Sequence, residues 1–186
     1  MPLQYLYARL LSQFSSAAIV RHDGTIEWLN DERLHRTKGP ARINKYGDRD
    51  WFSDGYRHRE NGPAAIYSDG TIEYYLHGLL HRDDGPAVIR SDGTVEWFLH
   101  GKRHREGGPA IYSKHDNTKY WYRRGLLHRE DGPAVEFQNG DQEWYLKGKR
   151  HRVGGPAILR HYGTEKHYFV AGIRTKSPYV GIVAQH

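Results

Sequence analysis

Six His-Arg pairs recur along this chain, at His35-Arg36, His58-Arg59, His81-Arg82, His104-Arg105, His128-Arg129 and His151-Arg152. Residues of these types support two chemistries. As a cationic ladder, Arg59, Arg82, Arg105, Arg129 and Arg152 would meet phosphates at regular intervals, the footprint of a DNA, RNA or phosphoinositide binder. The other role is architectural: each Arg stacks on a neighbouring Trp or Tyr or pairs with the acid beside it (Glu60, Asp83, Glu106, Glu130), and each His bonds loop backbone. An element present in every copy usually builds the copy, and the architectural role is the preferred one. Thirteen histidines also raise the question of metal. Equivalent histidines stand one repeat apart, roughly 9–10 Å across two strand spacings, whereas two ligands of one zinc each sit about 2.0–2.1 Å from it. Only His161 and His167, facing across a hairpin, remain as a weak pair, and neither a metal nor a cofactor is expected. The chain has no Cys nucleophile, no Gly-x-Ser-x-Gly and no phosphate-cradling glycine loop. No constellation occurs just once, so no catalytic residue is assigned and an enzyme is not expected.

The pairs belong to a longer repeat. Gly-Pro-Ala begins at Gly39, Gly62, Gly85, Gly108, Gly132 and Gly155, with spacings of 23, 23, 23, 24 and 23. Each His stands four residues before such a Gly, and an aromatic follows each Ala by ten or eleven: Trp51, Tyr74, Trp97, Trp121, Trp144, then His167 beside Tyr168. Trp28 extends that row backwards. The unit reads G-x-x-H-R-x-x-G-P-A, a short mixed stretch, D-G-T-x-E-W, then aromatic-Leu. Self-similarity at a fixed period of this length marks a repeat array.

Two extended segments fill each unit. Residues 86–90 are rich in β-branched side chains and start with Pro, which sheets accept at a strand's first residue. Asp-Gly or Asn-Gly then supplies a hairpin turn (Asp23-Gly24, Asp69-Gly70, Asp92-Gly93, Asn139-Gly140). Residues 94–99 form the return strand, and residues 101–108 read as a polar loop to the next Pro. Alternation places two ladders on opposite faces: Tyr5, Trp28, Trp51, Tyr74, Trp97, Trp121 and Trp144, then Leu29, Phe52, Tyr75, Phe98, Tyr122, Tyr145 and Tyr168, each ring packing on its equivalents. The expected fold is all-β, an elongated single-sheet antiparallel β-meander of about eight 23-residue hairpin repeats. It is one array over residues 1–186, with a degenerate N-terminal cap (1–22), regular repeats (23–166) and a degenerate C-terminal cap (167–186). Residues 6–12 look like a worn copy of 75–81. The stripe Leu3, Leu6, Tyr7, Leu10, Leu11, Phe14 fits an amphipathic helix instead.

Composition bounds the rest. Hydrophobic residues make up 37% and aromatics 13%, and mean hydropathy is −0.86. The chain is therefore ordered without a thick aliphatic core. A formal charge of +6 favours acidic partners: nucleic acid, an anionic lipid surface or an acidic protein patch. With no cysteine, no signal peptide and no apolar run of the roughly 20 residues a bilayer span needs, a cytoplasmic location is expected.

The period of 23, the glycine-punctuated hairpins and the aromatic at the strand start resemble the MORN repeat and its variants. The form carrying G-x-x-H-R-x-x-G-P-A is similar to repeat proteins of bacteria, bacteriophages and giant viruses, although its HR and GPA elements depart from the usual MORN consensus. The resemblance implies a twisted antiparallel sheet that serves as a protein-binding or dimerising scaffold, and, for viral repeats, a role as inhibitor of a host defence protein. The expected function is a non-catalytic scaffold binding another protein through an aromatic and basic face. Specificity is sought where the pattern breaks, at Tyr120, Arg123 and Arg124, together with Trp97, Trp121 and Trp144. Residues 179–184, short and apolar, are expected to pair with a second copy as an edge strand.

Overall fold

The computed structural model describes residues 18–177. The readings made on Tyr5, on residues 3–14 and on the edge strand 179–184 lie outside the described residues. The described chain is all-β, an antiparallel meander of hairpin repeats with no α-helix among the described residues. It divides between Ser91 and Asp92 into two compact units.

In the N-terminal unit the sheet strands follow chain order: Ala18–Val20, Ile26–Asn30, Arg42–Ile43, Arg49–Asp50, Ala65–Ile66, Ile72–Glu73 and Val88–Ile89. In the C-terminal unit they are Val95–Glu96, Ile111–Tyr112, Lys119–Tyr120, Val135–Glu136, Gln142–Glu143, Ile158–Arg160, Glu165–Val170 and Ile173–Thr175. Register is fixed by pairs such as Ala65↔Glu73, Val88↔Glu73 and Glu143↔Ile158. Most turns joining GPA strands to their partners are type I turns closed by a left-handed glycine, while Asn117 (φ 51°) takes that place in the copy with the extra residue. Gly70 donates to the Tyr67 carbonyl at 3.0 Å, and the Asp69 carboxylate takes the Thr71 N–H at 2.8 Å.

Residues 101–108 are not simply a polar loop. Each repeat carries a second, smaller hairpin outside the sheet, and 102–103 is its return strand. Among the described residues six of these side hairpins stand apart from the sheet, their bases marked by Leu29↔Leu34, Phe52↔Arg57, Tyr75↔Leu80, Phe98↔Arg103, Tyr122↔Leu127 and Tyr145↔Arg150. The last copy closes with an equivalent hairpin, Tyr168↔Thr175, whose tip is Ala171-Gly172. Both central residues of each tip have positive φ, for example Arg124 (51°) and Gly125 (84°), as a type I′ turn requires. The expected return strand 94–99 is therefore broken at Trp97 into Val95–Glu96, in the sheet, and Phe98–Leu99, in a side hairpin. The Trp97 N–H bonds the Ala110 carbonyl of the next copy at 2.7 Å, and its own carbonyl takes the His104 N–H at 3.1 Å. The same junction recurs at Trp51 and Trp121.

The core lies at these junctions and is thin. Ala41, Ala64, Ala87, Ala110, Ala134 and Ala157 are fully buried, and Val88 and Thr118 are the largest side chains fully enclosed. One register shift separates the last copy from the expected ladders. A 3₁₀ turn at His161–Gly163 adds a residue. Ala157 therefore donates to His167 and Arg152 to Phe169, which puts Tyr168 in the Trp144 row and Phe169 in the Tyr145 row.

Candidate functional site

The His-Arg pairs are consumed in holding copies together. Arg36, Arg59, Arg82, Arg105, Arg129 and Arg152 lay their guanidinium groups over Trp28, Trp51, Tyr74, Trp97, Trp121 and Trp144, at 3.8–4.2 Å from the ring centroids. The expected ring-on-ring ladder is thus an interleaving of rings with guanidiniums. On the other side of each guanidinium lies the GPA glycine. A Cβ on Gly132 would stand 2.8 Å from the Arg129 guanidinium carbon, which is why the position carries no side chain. Each Arg also donates to the carbonyl of the adjacent Pro, Arg105 to Pro109 at 3.2 Å and Arg59 to Pro63 at 3.1 Å.

The histidines bond backbone across repeats. Nδ1 of His104 accepts the Arg124 N–H at 3.2 Å, His128 that of Lys147 at 3.1 Å, and His58 that of His77 at 3.2 Å. Each acceptor bond ties one repeat to the tip of the next side hairpin and requires an imidazole without a proton on Nδ1.

Outside the arginine stacks stand carboxylates. Asp83, Asp84, Glu106, Glu130 and Asp131 have side chains 71–86% exposed. Arg82 Nε donates to Asp84 at 2.8 Å and Arg129 Nε to Asp131 at 3.0 Å, and these bonds hold both carboxyls below their ordinary range. A phosphate approaching Arg82 or Arg129 would meet these acids before the half-buried guanidinium.

A second set of arginines escaped the sequence reading. The residue before each His alternates: Leu34, Arg57, Leu80, Arg103, Leu127, Arg150. Where it is Arg, the acid seven residues earlier is buried: Asp50, Glu96 and Glu143 are 3–6% exposed. Arg57 lies 2.9 Å from Asp50, Arg103 3.0 Å from Glu96 and Arg150 3.6 Å from Glu143. Where it is Leu, the acid is the less buried Glu27 or Glu73, or is replaced by Tyr120. Glu73 takes the hydroxyls of Tyr67 and Tyr75, both at 2.9 Å, with Arg57 farther off at 4.0 Å. Burial and that bond push the Tyr67 phenol up to about 12. The signal was in the sequence as a two-repeat alternation of Leu and Arg.

Of the residues singled out for partner binding, Trp97, Trp121 and Trp144 are half-buried in the arginine stacks. Tyr120 lies in a sheet strand with its phenol pushed up by burial. Arg123 and Arg124 stand exposed on a side hairpin, Arg123 3.6 Å from Glu130. A shallow cleft of about 430 Å³ brings Trp121 and Arg123 together with Arg105, His128 and Arg129. His161 and His167 flank Glu165 at 3.6 and 2.6 Å, and the Arg174 guanidinium faces Nδ1 of His167 at 2.7 Å, a poor setting for a cation. Among the described residues no group of three His, Asp or Glu side chains is arranged to hold a metal ion, and no helix is long and apolar enough to cross a membrane. No protein-family model and no curated protein matches the chain.

Proposed function

We propose that this chain is a non-catalytic repeat scaffold of MORN-like type that binds another protein. The observation carrying this reading is how the repeated letters are spent. His, Arg, Gly, Ala and Trp of the copies make contacts that join one repeat to the next, while the outward positions of the side hairpins differ from copy to copy: Arg33, Tyr56, Leu79, Lys102, Leu126, Lys149. A stacked framework with a variable outer row is how repeat arrays present binding surfaces. Polyanion binding through the His-Arg ladder is less well supported, because those guanidiniums are stacked and hydrogen-bonded, with acids standing outside them.

The test is affinity capture from host lysate with the chain immobilised, with and without nuclease, at low and moderate salt. The scaffold reading expects a protein retained after nuclease treatment and at moderate salt. Capture that disappears with nuclease and falls by orders of magnitude between about 50 and 200 mM salt would replace it with polyanion binding.

A further inference from the structure

The side hairpins of the two units share one backbone and differ in charge. The three of the N-terminal unit (residues 29–34, 52–57 and 75–80) hold two cations, Arg33 and Arg57, against three acids, Asp31, Glu32 and Asp54. The first three of the C-terminal unit (98–103, 122–127 and 145–150) hold seven cations and no acid. Arg103 and Arg150 turn inward to Glu96 and Glu143. Lys102, Arg124, Lys147 and Lys149 are exposed, and among the described residues none has a carboxylate at ion-pair distance.

These cations frame aliphatic side chains. The Lys102 side chain lies over the tip glycine Gly125, Leu126 over Gly148, and Lys149 over Gly172. The result is one continuous row, Lys102–Leu126–Lys149, in which Leu126 is 50% exposed, and Leu99 on the neighbouring strand is 36% exposed. Arg124 and Lys147 hold positive-φ tip positions, at 51° and 50°, whose counterparts Asp31 and Asp54 carry the residue type that turn chemistry favours.

We infer that this face of the C-terminal unit docks an acidic helix of a partner protein, with carboxylates on Lys102 and Lys149 and an apolar side chain on Leu126. The inference rests on the scaffold reading. Successive members of the row are about 9–10 Å apart, two strand spacings. A helix presents one face every seven residues, about 10.5 Å at 1.5 Å per residue, so an acid–apolar–acid pattern at i, i+7 and i+14 matches the row. A nucleic acid suits the face less well. Bases need exposed rings to stack on, and the rings of Phe98, Tyr122 and Tyr145 are half-buried against Arg103 and Arg150. The large apolar side chains exposed along the row, Leu126 and Leu99, are aliphatic.

The probe is a labelled three-heptad helical peptide with Glu at i and i+14 and Leu at i+7, titrated by fluorescence anisotropy. A DNA duplex and phosphatidylserine-containing vesicles are run beside it. The double variant Lys102→Glu/Lys149→Glu should weaken peptide binding at least tenfold with an unchanged melting curve, and a peptide with Lys for Glu should bind that variant and not the parent. If the reversal disturbs folding, Lys102→Gln/Lys149→Gln should still weaken binding severalfold. Peptide binding that is absent, or indifferent to these changes, overturns the inference, as does tighter binding of duplex or vesicles than of peptide. A lysate partner still held by the double variant would sink this docking face and leave the scaffold reading standing.

Discussion

The side hairpins of the N-terminal unit and those of the C-terminal unit are the same structure carrying opposite chemistry. Both sets close with type I′ tips and meet the sheet at an aromatic whose N–H bonds the next buried Ala. Yet one set carries more acids than cations and the first three of the other seven cations and no acid. The framework beneath shows no such divergence: Arg59 on Trp51 and Arg105 on Trp97 have the same stacking distance within 0.2 Å, 4.1 against 3.9 Å. The difference teaches where selection for folding ends. A residue whose side chain fills the space between repeats is held to one type, while a residue facing water is free to take on a partner's chemistry.

The comparison is broken most directly at the buried alanines. Ala64→Leu and Ala110→Leu each force extra methylenes into fully enclosed sites, one in each unit. Overpacking of this kind costs about 2–3 kcal/mol. Both variants should lose that much in urea unfolding, and a cost confined to one unit would mean that the frameworks are not equivalent. Removing a stacked guanidinium comes next. Arg105→Ala loses the stack on Trp97 and the bond to the Pro109 carbonyl, together about 2 kcal/mol, and Arg59→Ala should match it. Arg105→Lys should recover little, because an ammonium lacks the planar face that the Trp–Gly slot fits.

Much of this framework was legible in the sequence. The period, the GPA strands and the role of each His-Arg pair as mortar could be read because a residue repeated in phase must serve the repeat. What escaped reading did so for physical reasons. Most of the side hairpins were hidden because their tips pair Gly with His, Arg, Lys or Ala at positive φ, and the first has Asp31-Glu32 with no Gly; only Asp54-Gly55 carries the Asn-Gly or Asp-Gly signal by which a type I′ turn is recognised. Trp97 and Trp121 promised an exposed aromatic face, but exposure depends on what covers a ring, and the covering Arg lies eight residues downstream. The shift of Tyr168 followed from one added residue in the His161–Gly163 turn, and a one-residue slip moves every later side chain to the neighbouring row.

A smaller effect separates two ways of satisfying the acid row. In the Arg copies a guanidinium stands 2.9–3.6 Å from the buried acid, whereas Glu73 in a Leu copy has its guanidinium, Arg57, no closer than 4.0 Å and takes two hydroxyls, of Tyr67 and Tyr75, at 2.9 Å. Tyr67→Phe should cost about 1.5 kcal/mol at neutral pH, one hydrogen bond to a charged acceptor. Its pH dependence has a definite sign. The folded state holds the Tyr67 proton up to about 12 against an ordinary 10.0. The associated stability is complete below pH 10 and is lost as pH rises from about 10 to about 12. Chemical denaturation across that window should show a shallower decline for Tyr67→Phe than for the parent. Equal slopes would mean that the phenol is not held protonated by the fold.

The smallest expected change in stability is also the one that bears most on function. Arg124 sits at φ 51° directly before Gly125, in the left-handed region that costs an ordinary L-residue roughly 1–2 kcal/mol and that Asn enters with far less strain. Asn-Gly is the favoured type I′ pair, so Arg124→Asn should hold or raise stability, by about 0.5–1 kcal/mol, a fraction of that strain. The backbone bond from residue 124 to Nδ1 of His104 survives the change, since it uses the N–H and not the side chain. The same substitution removes one of the exposed cations of the C-terminal face. If that face is only a solvated surface, Arg124→Asn improves the fold and leaves capture of the partner as it was. If the face binds acid, the variant is more stable and captures less, the signature of a residue kept for contact at the expense of its own turn. Thermal melting and partner capture on the one variant separate the two outcomes, and a variant that is both more stable and fully competent would remove Arg124 from the docking face.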